Sequence, residues 1–411
     1  MKKLAHRLYF GTRHLYVSFH STVAMLRFVG FVDLMVLRIA ELTVRNRRSS
    51  HLIIATAGRG NIGDQALLES AVQHAPHSKI HILVDQHDDL TLPQVTSPRT
   101  ARFVAAPRLV ARLPYLRLLG VWRAGREIGR ACQIDVIGAD IMDGSYSRRD
   151  SVIRLQLVRF ATQRGRRVRI LGFSWSECPD QYTLSLMRAL QDNVSLLPRD
   201  PRSAERLRHL GVTTRPPTAD IVFTLATGGS DARSRLRLPE DYIIFNASGL
   251  ASREHRVGCE YHESLRRLLD ADRNVVLLPH VLRRGDDDAE VARNLYDQFS
   301  SPRLVLVTDQ LSPSGVEDVA RGAVGGLASR MHLAIFLLRN GVAPLSLASH
   351  GKVEGLLEMF DISHRVLYPQ DSFGAVAGAQ LLDSMQQAAD DRVVQARLPE
   401  VQRLARNNFG A

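Results

Sequence analysis

The chain is poor in cysteine: Cys132, Cys178 and Cys259 are its only three, and no two of them form a C-x-x-C pair. Their wide spacing offers neither a disulfide framework nor a thiolate zinc site, which fits a reducing compartment. Long uninterrupted apolar runs are missing too. TVAMLRFVGFVDLMVLRIA, residues 22 to 40, comes nearest, but a spanning helix would carry Arg27, Asp33 and Arg38 into hydrocarbon. A transmembrane segment is therefore rejected. A cleaved signal peptide is not expected either, because His6, Arg7, Arg13 and His14 break any apolar region behind the Met-Lys-Lys start. Stacking aromatics interleaved with basic residues are absent, which argues against a nucleic-acid partner.

What is present is a globular composition, 45% hydrophobic and 23% charged, over 411 residues. That length suits two domains with an appendage and a large core. The net charge of +12 asks for an anionic partner: nucleic acid, anionic lipid, or a phosphorylated or acidic sugar substrate. Much of it is local. Residues 1–50 hold nine Lys/Arg against only Asp33 and Glu41. Two readings of this stretch stay open: a basic amphipathic helix resting on an anionic membrane face, or a helical extension packed on the body. The expected location is cytoplasmic, with a peripheral place on the inner face of the plasma membrane left open.

From residue 51 onward short β-branched runs alternate with helical patterns, as in a parallel sheet with crossover helices. HLIIATA, KIHILVD, IDVIGA, RVRILGF and VSLLP are the strands expected in the first half. DYIIFNAS, NVVLLPH, PRLVLVTD, AVGGLAS and VAPLSLAS are those of the second. Between them, TTRPPTADIVFTLATGGSDARSR reads as a domain link. The fold class is thus α/β: two Rossmann-like domains facing a cleft, over 51–230 and 236–375. A basic amphipathic helical extension over 1–50 precedes them, and a helical segment over 376–411 follows. In such sheets ligands bind beyond the carboxyl ends of the strands.

Several such ends carry chemistry. GRGNIGDQALLES has the G-x-G-x-x-G spacing of a dinucleotide loop, with Asp85 placed as a ribose-binding acid. Asp64, however, would cap the helix and repel a pyrophosphate. It is either a structural cap or a carboxylate that orients or deprotonates a hydroxyl. After the next cleft-side strand come Asp140, Asp143, Gly144 and Tyr146, suited to sugar hydroxyls or to an ordinary Asx turn. SLLPRDPRSAERLRHLGV holds Arg199 between a strand and a helix capped by Asp200; a surface ion pair is its alternative role. In AVGGLASRMHLAIFLLRNG, Arg330 and His332 stand at a helix mouth, where an arginine is disfavoured unless an anion is bound. His280 and Arg283 follow another strand, Asp286, Asp287 and Asp288 decorate a helix start, and Lys352 adds a further cation.

Taken in order, these segments resemble the polysaccharide pyruvyl transferase family across residues 52 to 365. GNIGDQALLES is similar to its first motif and GADIMDG to its second, though Ala139 and Asp140 replace part of the usual glycine run. PRDPRSAERLRHLGV with ADIVF, and SRMHLAIFLLRNGVAPLSL with GKVEGL, resemble the later ones. The resemblance implies a glycosyltransferase-B-like fold and transfer of pyruvate from phosphoenolpyruvate onto a sugar, free or lipid-linked, as a ketal. No metal or other cofactor is required. It implies His332 and Asp64 as catalytic. Arg199, Arg330, Met331, Lys352 and His280 would hold the donor, and Asn61, Gly63, Asp140, Asp143 and Tyr146 the acceptor. Domain 51–230 would then be the acceptor side and 236–375 the donor side. A nucleotide-sugar glycosyltransferase and a non-catalytic scaffold for sugar assembly are the rival readings.

Overall fold

The computed structural model describes residues 23–44, 48–111, 114–215, 217–283 and 286–410. The first 22 residues of the basic extension therefore lie outside the described residues. Residues 45–47 of it lie outside them too, and Val23–Leu42 form helix α1. The first lobe then runs β1 (Ser50–Ile54), α2 (Ile62–Gln73), β2 (Lys79–Val84), β3 (Thr100–Ala105), α3 (Pro114–Arg130), β4 (Ala131–Ala139), α4 (Arg148–Gln163), β5 (Arg167–Phe173), α5 (Gln181–Leu190), β6 (Ser195–Pro198) and α6 (Pro201–His209). The second lobe contributes β7 (Tyr242–Asn246), α7 (Gly249–His255), α8 (Gly258–Asp270), β8 (Val275–Leu277), the short hairpin β9 (Leu282–Arg283) and β10 (Asp286–Asp287), and α9 (Asp288–Gln298). It continues with β11 (Leu304–Leu306), α10 (Pro313–Arg321), β12 (Ala323–Ala328), α11 (Met331–Arg339), β13 (Leu345–Leu347), α12 (Lys352–Glu358) and β14 (Val366–Leu367). Helices α13 (Gly374–Leu382) and α14 (Ser384–Arg406) close the chain.

Each lobe is one six-stranded parallel sheet. The orders are β3-β2-β1-β4-β5-β6 and β11-β8-β7-β12-β13-β14. Counted within its own lobe, each sheet has the doubly wound order 3-2-1-4-5-6, so each has a switch point beside its first and fourth strands. Central strands are buried on both faces, which is why β1 and β7 read as continuous apolar runs. Strand β3 escaped the sequence reading because it is an edge strand, half-exposed and mixed with Thr100 and Arg102.

The Pro-rich passage expected as a link is no loose tether. Ala219, Ile221, Val222 and Phe223 are buried in an apolar cluster that also takes in Leu67 of the first lobe and Leu333 to Leu338 of the second. Helix α14 returns the chain to the first lobe. Asn408 donates to the Ala219 carbonyl at 2.9 Å, and its own carbonyl accepts from Arg169 at 3.2 Å. Helix α1 packs on α3 and α4, and both its acids face inward. Asp33 accepts from Arg117 at 2.6 Å, and Glu41 pairs with Arg164 at 2.8 Å. Among the described residues, no helix is long and apolar enough to cross a membrane.

Candidate active site

The G-x-G-x-x-G loop connects β1 to α2 at the switch point of the first sheet. Its cap is Asn61, whose Oδ1 accepts from the Gly63 amide at 3.0 Å. Asp64, expected as that cap, instead sits inside the first turn and folds back to accept from the Gly58 amide at 3.2 Å. The loop amides that would meet a pyrophosphate are thus already satisfied. Asp85, the ribose-binding acid of the dinucleotide reading, is occupied as well: it pairs with Arg59 at 2.8 Å and accepts from the Arg108 amide at 2.7 Å.

The glycines serve a different purpose. The loop docks on the second lobe through Leu282 N to Gly60 O (2.9 Å) and Ile62 N to His280 O (3.2 Å). A side chain at Gly60 would lie 2.2 Å from the Leu282 carbonyl, and one at Gly63 would lie 2.1 Å from His332 Nδ1. These glycines let the second lobe touch the first.

His332 enters from the start of α11, at the switch point of the second sheet. Its Nε2 stands 3.6 Å from Asp220, a charge-pair distance too long for a hydrogen bond. Asp64 is buried on the loop beneath; burial raises its pKa, with His332 and Thr56 opposing. Asp220 is held the other way. Burial would raise its pKa, but contact with His332 and Arg199 keeps it lowered and ionised. Asp220 was not singled out in the sequence; the ADIVF segment carries it, inside the passage that looked like a link.

Arg199 forms the floor. It is only 2% exposed, and it donates to Asp220 at 3.3 Å, to Ser174 Oγ at 2.8 Å, and to Asp140. The other oxygen of Asp140 accepts from Lys352 at 2.5 Å, so a first-lobe carboxylate bridges cations from both lobes. Burial pushes the Asp140 pKa up, but Lys352 and Arg199 hold it well below the usual carboxylate range. Lys352 in turn stays protonated: burial works against its charge, and Asp140 outweighs that. Arg330 is held between Asp286 at 2.5 Å and Asp288 at 2.6 Å. Asp288 does more than decorate a helix start. It is fully buried and also accepts from the backbone amides of Gly249, His280 and Val281. The cap of α9 is Asp287.

Beside this cluster opens a cavity of about 370 Å3, lined by Tyr146 from the first lobe and by Arg330, Met331, His350 and Lys352 from the second. Tyr146 packs edge-on against His350, 5.9 Å between ring centres. His332, Asp64, Asp140, Asn61 and Gly63 lie at the seam and do not line it, and three further expected contacts, Arg199, His280 and Asp143, do not line it either. Arg199 spends its donors on Asp140, Asp220 and the Ser174 hydroxyl. His280 is 1% exposed with neither ring nitrogen hydrogen-bonded, and burial, then His332 and Arg330, drive its pKa well below the usual histidine value. Asp143 is buried and spends its carboxylate on the amides of Ser145 (2.9 Å) and Ser176 (3.0 Å), bracing the loop after β4.

No curated protein matches the chain by sequence. Solved structures do match the fold. UDP-GlcNAc 2-epimerase from Methanocaldococcus jannaschii is 10% identical with a TM-score of 0.52, covering 84% of this chain and 98% of that one. An α,α-trehalose-phosphate synthase (UDP-forming) from Burkholderia xenovorans is 12% identical with a TM-score of 0.54, covering 88% and 98%. At such identities the likeness shows the fold: two Rossmann-like domains facing a cleft, glycosyltransferase-B-like. A family model described as polysaccharide pyruvyl transferase matches residues 61–351, which run from Asn61 past His332 and end one residue before Lys352. The chain belongs to the polysaccharide pyruvyl transferase family, a family of transferase enzymes.

Proposed function

We propose that this cleft moves pyruvate from phosphoenolpyruvate onto two hydroxyls of a sugar, forming a ketal and releasing phosphate. One observation carries the reading. His332 sits between Asp64 and Asp220 at the meeting of two sheet switch points, with Lys352 and Arg330 beside it on a cavity of small-metabolite size. The donor's carboxylate and phosphate would meet Lys352, a point charge, beside the guanidinium of Arg330, which Asp286 and Asp288 hold in place. Arg199 serves as a positioning residue that fixes Asp140 and Asp220.

In this scheme His332 gives a proton to the methylene carbon of the donor, leaving C2 electrophilic. A sugar hydroxyl adds to C2 and its proton passes to Asp64, whose raised pKa suits a base. The C2–O bond to phosphate then breaks. A second hydroxyl closes the ketal, and its proton leaves with the phosphate. Tyr146, Asn61, Gly63 and Asp140 border the acceptor side; of these, Asn61 and Gly63 act by shaping the loop.

The test is to incubate the purified chain with phosphoenolpyruvate and a panel of nitrophenyl and lipid-linked glycosides. Phosphate release that requires a sugar, and that vanishes in His332→Ala with folding retained, is expected. Turnover of a UDP-sugar with phosphoenolpyruvate untouched would overturn the proposal in favour of a glycosyltransferase. No turnover of either, with His332→Ala indistinguishable from the parent, would favour a scaffold.

A further inference from the structure

Helix α1 has an unusual outer face. Phe28, Phe31, Met35, Ile39 and Leu42 recur at three- and four-residue spacing and are between 46% and 69% exposed. Leu118 and Leu119 of the neighbouring α3 add to the exposed apolar surface. A contiguous patch of this kind on a folded domain marks a surface that something covers. Its charge says what. The two acids of α1, Asp33 and Glu41, are buried in ion pairs with Arg117 and with Arg164 and Arg166, so only arginine is left outside. Arg27 and Arg38 flank the stripe, and with Arg159 they line a cavity of about 660 Å3 between α1, α4 and α5. Asp33 also borders that cavity, but Arg117 already holds it. The 22 residues ahead of α1 contain Lys2, Lys3, Arg7 and Arg13 and no acid.

We infer that α1 and α3 form a docking face for an anionic lipid bilayer, with the apolar stripe lying at the acyl boundary and Arg27, Arg38 and Arg159 taking phosphate headgroups. Apolar area on one face and cations without exposed acids are the two ingredients of interfacial binding. Helix α1 enters beside Leu26, which accepts from Gln156 of α4, and runs down to Glu41 beside Arg164. Its amino end therefore lies toward the start of α4, the end that follows the cleft-side loop after β4.

The test is sedimentation of the full-length protein with vesicles of phosphatidylglycerol and phosphatidylcholine in equal parts, and with phosphatidylcholine alone. Binding to the anionic vesicles only, weakened by salt, is expected. The Arg27→Ala/Arg38→Ala variant should lower the partition coefficient roughly 30-fold, and Phe31→Glu/Ile39→Glu should abolish binding. All four side chains are exposed, so folding should survive; the arginine pair carries the test should the glutamates unfold the chain. Sugar-dependent phosphate release without vesicles should be unchanged in both variants, which separates this inference from the proposed reaction. Equal binding to both vesicle types, or binding indifferent to both variants, would overturn it. So would a dimer that Phe31→Glu/Ile39→Glu dissociates without any vesicle binding, which would assign the stripe to a second copy. A monomer that binds neither vesicle would assign it to the chain's own first residues.

Discussion

Replacing Gly63 by alanine isolates the seam between the lobes. The new Cβ would lie 2.1 Å from His332 Nδ1 and 2.9 Å from its Cβ, where an ordinary contact starts at 3.4 Å. Gly63 belongs to the capped first turn of α2 and cannot back away without losing the Asn61 cap. The imidazole must therefore retreat by about 1.3 Å in a close-packed setting. A displacement of that size at a reacting group costs roughly 100-fold in turnover. Sugar-dependent phosphate release should fall accordingly. Gly228→Ala, where nothing lies within 4 Å, should change neither turnover nor stability and is the control. Stability gives a second, opposite readout. Alanine is favoured over glycine in a helix by about 1 kcal/mol, but the clash masks that gain in the parent background. In a His332→Gly background the ring and its Cβ are both gone, so Gly63→Ala should raise the unfolding free energy by about 1 kcal/mol and cost no further activity. Activity within twofold of the parent for the single variant, or a further loss in the double, would refute the idea that Gly63 acts through the histidine ring.

Three other perturbations follow from the ion pairs. Asp140→Asn removes the carboxylate that joins Arg199 to Lys352, and should lower the urea unfolding free energy by about 3 kcal/mol; an unchanged midpoint would show the bridge to be idle. Asp288→Ala should destabilise the chain more than Asp286→Ala, in guanidinium melts, because Asp288 also anchors three backbone amides while Asp286 serves only arginines; the reverse order would overturn this. Asp135, fully buried against His51 (2.9 Å) and Arg169 (2.6 Å), has its pKa held down to about 2 from the ordinary 3.8, although burial alone would raise it. A depressed carboxylate stabilises the native state above its unfolded pKa. The contribution, about 2 kcal/mol, should be whole above pH 4 or so and fade as pH falls toward 2. Asp135→Asn should flatten that acid limb in pH-dependent thermal melts, and a limb of unchanged slope would exclude Asp135 as its cause.

The sequence displayed the strand ends well because strands buried on both faces are continuous apolar runs, and the residues after them are polar by contrast. Asp64, Asp140, Arg330, His332 and Lys352 were all found that way, and they gather at one seam or cavity. Partners were harder to see. The motif places Arg199 and Arg330 at cleft-side positions, but not Asp220, Asp286 and Asp288 against their guanidiniums, because those pairs are separated by 21, 44 and 42 residues. Asp220 was hidden by its neighbours: Pro216, Pro217, Gly228 and Gly229 punctuate the passage like a linker, yet its apolar residues are buried between the lobes. Asn61 and Asp64 both suit a helix start by type. Only the backbone decides between them, with Asn61 extended at φ −94° and Asp64 already helical.

The same arrangement of partners bears on how an anion could bind at all. Every cation near the cavity is matched by carboxylates from a different loop: Lys352 by Asp140, Arg330 by Asp286 and Asp288. Buried pairs of this kind add little net stability, since desolvation cancels most of the attraction, but they hold charges in fixed places. An incoming phosphate or carboxylate at Lys352 must then compete with Asp140, and Asp140 can yield because Arg199 remains on its other oxygen. Arg330 offers no such exchange: its Nε and Nη2 both go to Asp288, which backbone amides and the buried Asn246 side chain also hold in place. The two cations therefore divide the work. Under the proposed reaction Lys352 would trade partners when the donor arrives, while Arg330 would stay a fixed wall. Lys352→Ala should consequently raise the KM for phosphoenolpyruvate more than it lowers kcat. Arg330→Lys, which breaks a fork gripping two carboxylates, should lower the unfolding free energy first, and a KM effect without any loss of stability would contradict that division.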